Sequence, residues 1–115
     1  MAINYEELMQ AKSTGVEASW GDRETMLYAL GIGFMRDPMD TRELQFAYEN
    51  DLKAVPTMAT VIGWGASSTM ARSGINYLMG VHGEQRLTLH KPLPSAATGL
   101  IDERVIGAFD KGKDK

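Results

Sequence analysis

The stretch TMATVIGWGASSTMA, residues 57–71, contains apolar and small residues and no charged residue. A run of this length and composition predicts a helix that is buried on most of its surface. Its smallest side chains would let a neighbouring element approach the helix backbone closely. They belong to Gly63, Gly65, Ala66 and Ser67. We therefore expect the rest of the domain to pack around this helix.

A second helix is predicted over residues 21–34. Met26, Leu27, Leu30 and Phe34 recur with the spacing of one helical face. The first turn contains acidic residues, which suit the positive end of the helix dipole. Pro38 prevents any continuation of the helix.

Three segments are predicted to be β-strands, the first two from the alternation of their side chains. The first is residues 44–49, where Leu44, Phe46 and Tyr48 would share a face, and the second is residues 82–91. The third is residues 97–109, rich in Ile and Val. The last two are adjacent in sequence, so an antiparallel hairpin is the simplest pairing. The predicted fold class is α+β, with an antiparallel β-sheet and a buried helix.

Composition excludes several classes of protein. A chain of 115 residues has room for one domain, and its formal charge of −3 argues against nucleic-acid binding. The absence of cysteine excludes disulfides and thiolate metal sites. No apolar run is long enough to cross a membrane, and no secretory signal is evident. We therefore expect a cytoplasmic protein with no membrane partner.

The two histidines do not have the spacing of a metal site. On an extended strand, His82 and His90 would be about 26 Å apart, so they could not bind one ion. No metal site is therefore expected. His82 and Glu84 are two steps apart on the same face, which predicts that His82 makes a structural polar contact, with Glu84 or with a facing half-domain.

Other chemical motifs are incomplete. TVIGWGASS lacks the third glycine of a dinucleotide-binding turn, and Ser67 lacks the second glycine of a nucleophile elbow. Asp102 and Glu103 are neighbours on a predicted strand, so they should point to opposite faces. The residues by themselves therefore indicate no catalytic constellation.

Three stretches together resemble a known family. They are ETMLYALGIG (24–33), LKAVPTMATVIG (52–63) and MGVHGEQRLTLHKPLP (79–94). In this order and spacing they are similar to the N-terminal half of the type-2, or (R)-specific, enoyl-CoA hydratases, which are MaoC-like dehydratases. The similarity covers residues 5–111, and its most specific part is the string H-G-E-Q…K-P-L-P.

The resemblance implies a hot-dog fold, in which an antiparallel β-sheet wraps around a long central helix. Residues 1–115 would then form the N-terminal MaoC-like hot-dog domain of a double hot-dog protein. The family hydrates trans-2-enoyl-CoA to (R)-3-hydroxyacyl-CoA. Its substrate is a coenzyme A thioester, and it needs no metal or redox cofactor.

One departure from the family affects catalysis. The catalytic string, approximately G-D-x-N-P-x-H, is absent here, because Gly21 and Asp22 are followed by Arg-Glu-Thr. We therefore expect no catalytic residue in this segment. The family's N-terminal half instead provides space for acyl tails. The candidate substrate-binding residues are Tyr48, Pro56, Thr57, Met58 and Ile62, and the candidate structural signature is His82, Gly83, Glu84 and Gln85.

A hot-dog sheet requires more strands than this sequence provides, so the expected partner is a second hot-dog domain, in the same chain or in another chain. A homodimer is also expected. Two alternatives remain open: a non-catalytic subunit that binds substrate beside a catalytic partner, and a stand-alone acyl-CoA or lipid-binding module.

Overall fold

The computed structural model describes residues 3–64 and 68–113. It contains a two-stranded antiparallel sheet and several short helices, an α+β arrangement that agrees with the predicted class. The helices are α1 (Tyr5–Gln10), α2 (Asp22–Gly31), α3 (Thr41–Leu44), α4 (Ala59–Ile62) and α5 (Ser68–Ala71), with 3-10 turns at Pro56–Met58 and Tyr77–Met79. The strands are β1 (Lys12–Trp20) and β2 (Ala97–Arg104).

Strand β2 lies within the predicted third strand, but its partner is β1, which the sequence pattern did not predict. Val16 pairs with Ile101 and Trp20 with Ala97. The register is irregular between Ser13 and Val16. Gly15 adopts a φ of 69° there, a left-handed conformation that glycine tolerates. The predicted hairpin between residues 82–91 and 97–109 is therefore wrong.

Residues 82–91 form no strand. Every residue from 81 to 89 lacks regular structure and is exposed. Alternation makes a segment suitable for a sheet, but a strand also requires a neighbour to pair its backbone groups. In this structure that position beside β2 is taken by β1.

The predicted strand at residues 44–49 is also wrong, because local capping favours a helix. The Asp40 side chain accepts a hydrogen bond from the Arg42 backbone N–H, which starts α3. Turns follow, and the Lys53 N–H donates to the Gln45 carbonyl at 2.8 Å. Phe46 packs edge-to-face on Phe34, with ring centroids 5.2 Å apart.

Helix α2 confirms the predicted second helix but buries a different face. Thr25 and Ala29 are fully buried, whereas Leu27 and Leu30 are 57% and 51% exposed. The buried side of α2 therefore contains small residues. The larger apolar side chains, which the periodicity predicted to face the core, leave much of their surface uncovered.

The long helix predicted over residues 57–71 is not seen as one element. The described part consists of a 3-10 turn followed by α4 and α5. Gly63 is the C-cap of α4. Gly65, Ala66 and Ser67 lie outside the described residues. The predicted close approach is confirmed at Gly63, where an added Cβ would lie 3.3 Å from Ile101 Cδ1. Helix α4 therefore packs on β2 through a glycine.

Candidate functional site

An open cleft of about 960 Å³ lies between three parts of the chain. Its walls come from α4, from residues 75–87 and from the end of β2. Much of the lining is apolar, including Ile75, Tyr77, Val81 and Leu87. Because the lining combines apolar surface with several polar side chains, this cleft is the candidate small-molecule site.

The α4 wall contains Ala59, Thr60 and Gly63. Local hydrogen bonds hold this wall in place. Thr60 Oγ1 donates to the Thr57 carbonyl at 2.8 Å, and Tyr28 Oη donates to Thr57 Oγ1 at 2.8 Å. The second bond ties the start of this helical stretch to α2.

The predicted signature residues lie in the second wall. His82, Gly83 and Gln85 line the cleft, and all three are exposed. The predicted contact of His82 with Glu84 is not formed; Glu84 Oε1 accepts from Arg86 Nε at 2.7 Å. A contact of His82 with a facing half-domain stays a prediction. Within residues 3–64 and 68–113, His82 has no hydrogen bond.

The end of β2 contributes Asp102 and Glu103. The alternating burial along β2 confirms that they point to opposite faces. Asp102 Oδ1 accepts from the Gly15 N–H at 2.8 Å, which stabilises the irregular part of β1. Glu103 Oε2 is buried and has no hydrogen-bond partner among the described residues. Sequence reasoning named both carboxylates but did not place them beside His82, because the cleft depends on long-range packing.

The five candidate substrate-binding residues are not part of the cleft lining. Met58 is 2% exposed and lies in the core, whereas Tyr48 is in an exposed loop. Pro56 and Thr57 lie in the 3-10 turn just before the cleft wall, and Ile62 lies in α4 between the lining residues Thr60 and Gly63. Their role in binding an acyl tail stays a prediction.

The K-P-L-P end of the signature segment is attached to the β1–α2 corner. Trp20 Nε1 donates to the Pro94 carbonyl at 2.9 Å, and Thr25 Oγ1 donates to the Ser95 carbonyl at 2.7 Å. Thr25 is fully buried, so its bond is shielded from water. These two bonds fix the position of residues 94 and 95, just before β2 begins.

Two carboxyl groups have lowered pKa values. The hydrogen bond from the Gly21 backbone N–H lowers the pKa of Glu24, and the side-chain hydrogen bond from Arg42 lowers the pKa of Asp40. Both groups lie at helix N-termini, away from the cleft lining. Their shifts therefore concern helix capping rather than chemistry in the cleft.

In the part of the chain that the structure describes, no three His, Asp or Glu side chains lie together as metal ligands would. In the same residues, no helix has the length and apolar character needed to span a membrane. Among the described residues, Asp102 and Glu103 are the acidic residues of the cleft lining.

Comparison with known proteins identifies the family. A family model described as the MFE-2 hydratase 2 N-terminal domain matches residues 19–115. The chain is 30% identical to "Enoyl-CoA hydratase 2, peroxisomal" of Arabidopsis thaliana, over 96% of this chain and 38% of that protein. It is 34% identical to "3-hydroxyacyl-thioester dehydratase Y" of Mycobacterium tuberculosis, over 84% of this chain and 33% of that protein.

A third relative, "Peroxisomal multifunctional enzyme type 2" of Mus musculus, is 30% identical over 88% of this chain and 14% of that protein. The chain thus spans well under half the length of each of these relatives. The family model covers most of the chain and includes the cleft-lining residues of all three walls. The chain therefore belongs to the family of MFE-2 hydratase 2 N-terminal domains.

Proposed function

We propose that this chain is the acyl-tail-binding half of an (R)-specific 2-enoyl-CoA hydratase, or of a dehydratase acting on 3-hydroxyacyl thioesters. The observation that carries this proposal is the family match over residues 19–115, with relatives named as enoyl-CoA hydratase and 3-hydroxyacyl-thioester dehydratase. The reaction would be the reversible addition of water to the double bond of a 2-enoyl thioester.

The hot-dog fold is part of the proposal. In that fold, a curved sheet closes on a central helix, and small residues on the helix allow close contact. The packing of Gly63 on Ile101 supports this arrangement. The full sheet would include strands beyond β1 and β2, and a second hot-dog domain would complete the protein.

The cleft would hold the hydrocarbon tail of the substrate. Its apolar side chains include Trp64 and Val81, which are 76% and 95% exposed and would lose water contact when a tail binds. Glu103 and His82 line the cleft, but the string G-D-x-N-P-x-H does not occur in this chain. General acid–base catalysis would therefore come from the second hot-dog domain.

The reaction would need no redox cofactor, because water addition to an enoyl thioester changes no overall oxidation state. The absence of a metal requirement stays a prediction from the family resemblance. The proposed assembly is a homodimer of double hot-dog protomers. A cytoplasmic location stays a prediction, and two of the relatives carry "peroxisomal" in their names. Microscopy of the tagged full-length protein would distinguish the two compartments.

A hydration assay tests the proposal directly. The full-length gene product is mixed with crotonyl-CoA or with a longer trans-2-enoyl-CoA, and loss of the conjugated thioester absorbance is followed. The reverse reaction is measured separately with (R)- and (S)-3-hydroxyacyl-CoA. We expect hydration of both enoyl thioesters and dehydration of the (R) isomer. Turnover of the (S) isomer alone, or no turnover at all, would contradict the proposal.

A bulky substitution in the cleft lining tests whether the acyl tail binds there. In Ala59→Phe, an aromatic ring would enter the cleft, so kcat/KM for the longer substrate should fall about tenfold or more, while crotonyl-CoA should be spared. The matched control is Val61→Phe, because Val61 lies on the same helix outside the lining and is 42% exposed. Equal losses in both variants would place the tail elsewhere.

The alternatives of a non-catalytic subunit and a stand-alone lipid-binding module predict other outcomes. A subunit would show turnover only after a catalytic partner is added. A module would bind acyl-CoA in a calorimetric titration and show no turnover with any hot-dog partner. The intact mass of the purified gene product separates a double hot-dog protein from both.

A further inference from the structure

Glu103 has two oxygens with different surroundings. Oε2 is sealed from solvent, and Oε1 is not among the sealed atoms. Across the sheet, Glu103 pairs in register with Ser13, whose Oγ is also sealed and unpartnered. Neither Glu103 oxygen accepts a hydrogen bond within residues 3–64 and 68–113. Glu103 lines the cleft, and its unsealed oxygen Oε1 is therefore the one left for a ligand there.

A carboxylate in a largely apolar wall favours a ligand that supplies a hydrogen-bond donor. Removing such a group from water without a partner is unfavourable, and a donor on the ligand would compensate. Among the residues that the structure describes, no lysine or arginine lines the cleft, whereas Glu103 does. The anionic phosphates of coenzyme A would therefore be repelled from this end of the cleft.

The donor must therefore be on the hydrocarbon part of the ligand. A hydroxyl group satisfies this requirement and remains inexpensive to place among apolar side chains such as Ile75 and Leu87. An ammonium group would also be attracted to Glu103, but its transfer from water into an apolar cleft is far less favourable than that of a hydroxyl. A neutral alcohol is the better match.

We propose that Glu103 selects acyl thioesters whose tail carries a hydroxyl group, which donates a hydrogen bond to Oε1. This inference rests on the proposed function, because it assigns the preferred tail of the same cleft. Glu103 would act on the choice of acyl tail, whereas the groups that add water would belong to the second hot-dog domain.

The test compares two substrates of equal length, a trans-2-enoyl-CoA with a terminal hydroxyl and the same compound without it. The full-length gene product should show a kcat/KM ratio, hydroxylated over plain, of about ten. In Glu103→Met, which keeps side-chain length and removes the acceptor, the ratio should fall by about tenfold. In Glu103→Gln, which keeps a neutral acceptor, it should fall to an intermediate value.

The matched control is Glu17→Met, because Glu17 is an exposed carboxylate on β1 that does not line the cleft. It should keep the wild-type ratio. A ratio near one in the wild type, or an equal ratio in wild type and Glu103→Met, overturns the inference while plain hydration leaves the proposed function intact. If Glu103→Met does not fold, the ratio in Glu103→Gln decides, and an unchanged ratio there overturns it. Absence of hydration of either substrate overturns both proposals.

Discussion

The β1–α2 corner and the segment of residues 76–91 differ in burial and in hydrogen bonding to the rest of the chain. At the corner, buried Thr25 and partly buried Trp20 donate hydrogen bonds to the carbonyls of Ser95 and Pro94. In the segment, every residue is exposed, and the side chains of Leu78 and Val81 are 94% and 95% exposed. The corner therefore carries stability, whereas the segment keeps apolar surface available for a ligand or a second domain.

The largest expected difference between these regions comes from replacing one methionine in each. Met58 is 2% exposed, so Met58→Ala should lower the free energy of unfolding by about 2–5 kcal/mol. Met79 in the exposed segment is 82% exposed, and Met79→Ala should change it by less than about 0.5 kcal/mol. Urea denaturation of both variants measures the difference. Equal losses would mean that residues 76–91 are as tightly packed as the core.

Thr25→Val should have the next largest effect. Valine keeps the volume but leaves the Ser95 carbonyl without its donor, at a cost of about 1–3 kcal/mol. Thr14→Val is the control, because Thr14 is an exposed threonine of β1 with no hydrogen bond from its side chain among the described residues. Amide hydrogen exchange should show faster exchange near residues 94–97 in Thr25→Val alone. An unchanged exchange rate there would contradict the view that the Thr25 hydrogen bond holds residues 94–97 in place.

A pH titration sharpens the comparison at the start of α2. The Gly21 hydrogen bond lowers the pKa of Glu24 below its ordinary value of 4.5, so the folded state favours the ionised carboxylate. Its contribution is therefore present above 4.5 and is lost as the pH falls through the folded-state pKa. The melting temperature of Glu24→Gln should therefore fall less with decreasing pH than that of the wild type. Glu17→Gln, on exposed β1, should follow the wild-type curve, and identical curves for all three would contradict the expectation.

The smallest effect is expected within the exposed segment. The ion pair of Arg86 with Glu84 has side chains that are 88% and 68% exposed. Arg86→Ala should therefore change stability by less than about 1 kcal/mol. A salt titration of the melting temperature should be superimposable for the variant and the wild type. A larger loss would indicate that the segment contacts a second domain through this pair.

Local patterns predicted part of the fold correctly. Acidic residues before an apolar periodic run predicted α2, and the Ile and Val content of residues 97–109 predicted a strand that includes β2. The same kind of reasoning failed at residues 44–49, where the Asp40 cap favours a helix over the alternation of Leu44, Phe46 and Tyr48. A capping side chain acts within four residues, so it can override a strand pattern that has no partner nearby.

The candidate site was only partly predictable for the same reason. His82, Gly83 and Gln85 were identified from the sequence, and they do line the cleft. Ala59 and Thr60 were missed, because the expected binding set was chosen from their helical neighbours Pro56, Thr57 and Ile62. Which side of a short helix faces a cleft depends on the element packed against its other side, here β2 through Gly63.

The sequence by itself determined helix α2 and the extended character of β2, because each depends on residues that are near one another in the chain. It also carried the family resemblance, and its small residues indicated a close approach at Gly63. Only the tertiary structure decided that β2 pairs with β1, across more than 70 residues from Trp20 to Ala97. It also decided that Glu103 and His82 line the same cleft. Pairing partners that are distant in sequence leave no periodic signal, since their selection depends on how the intervening segments pack and close the chain.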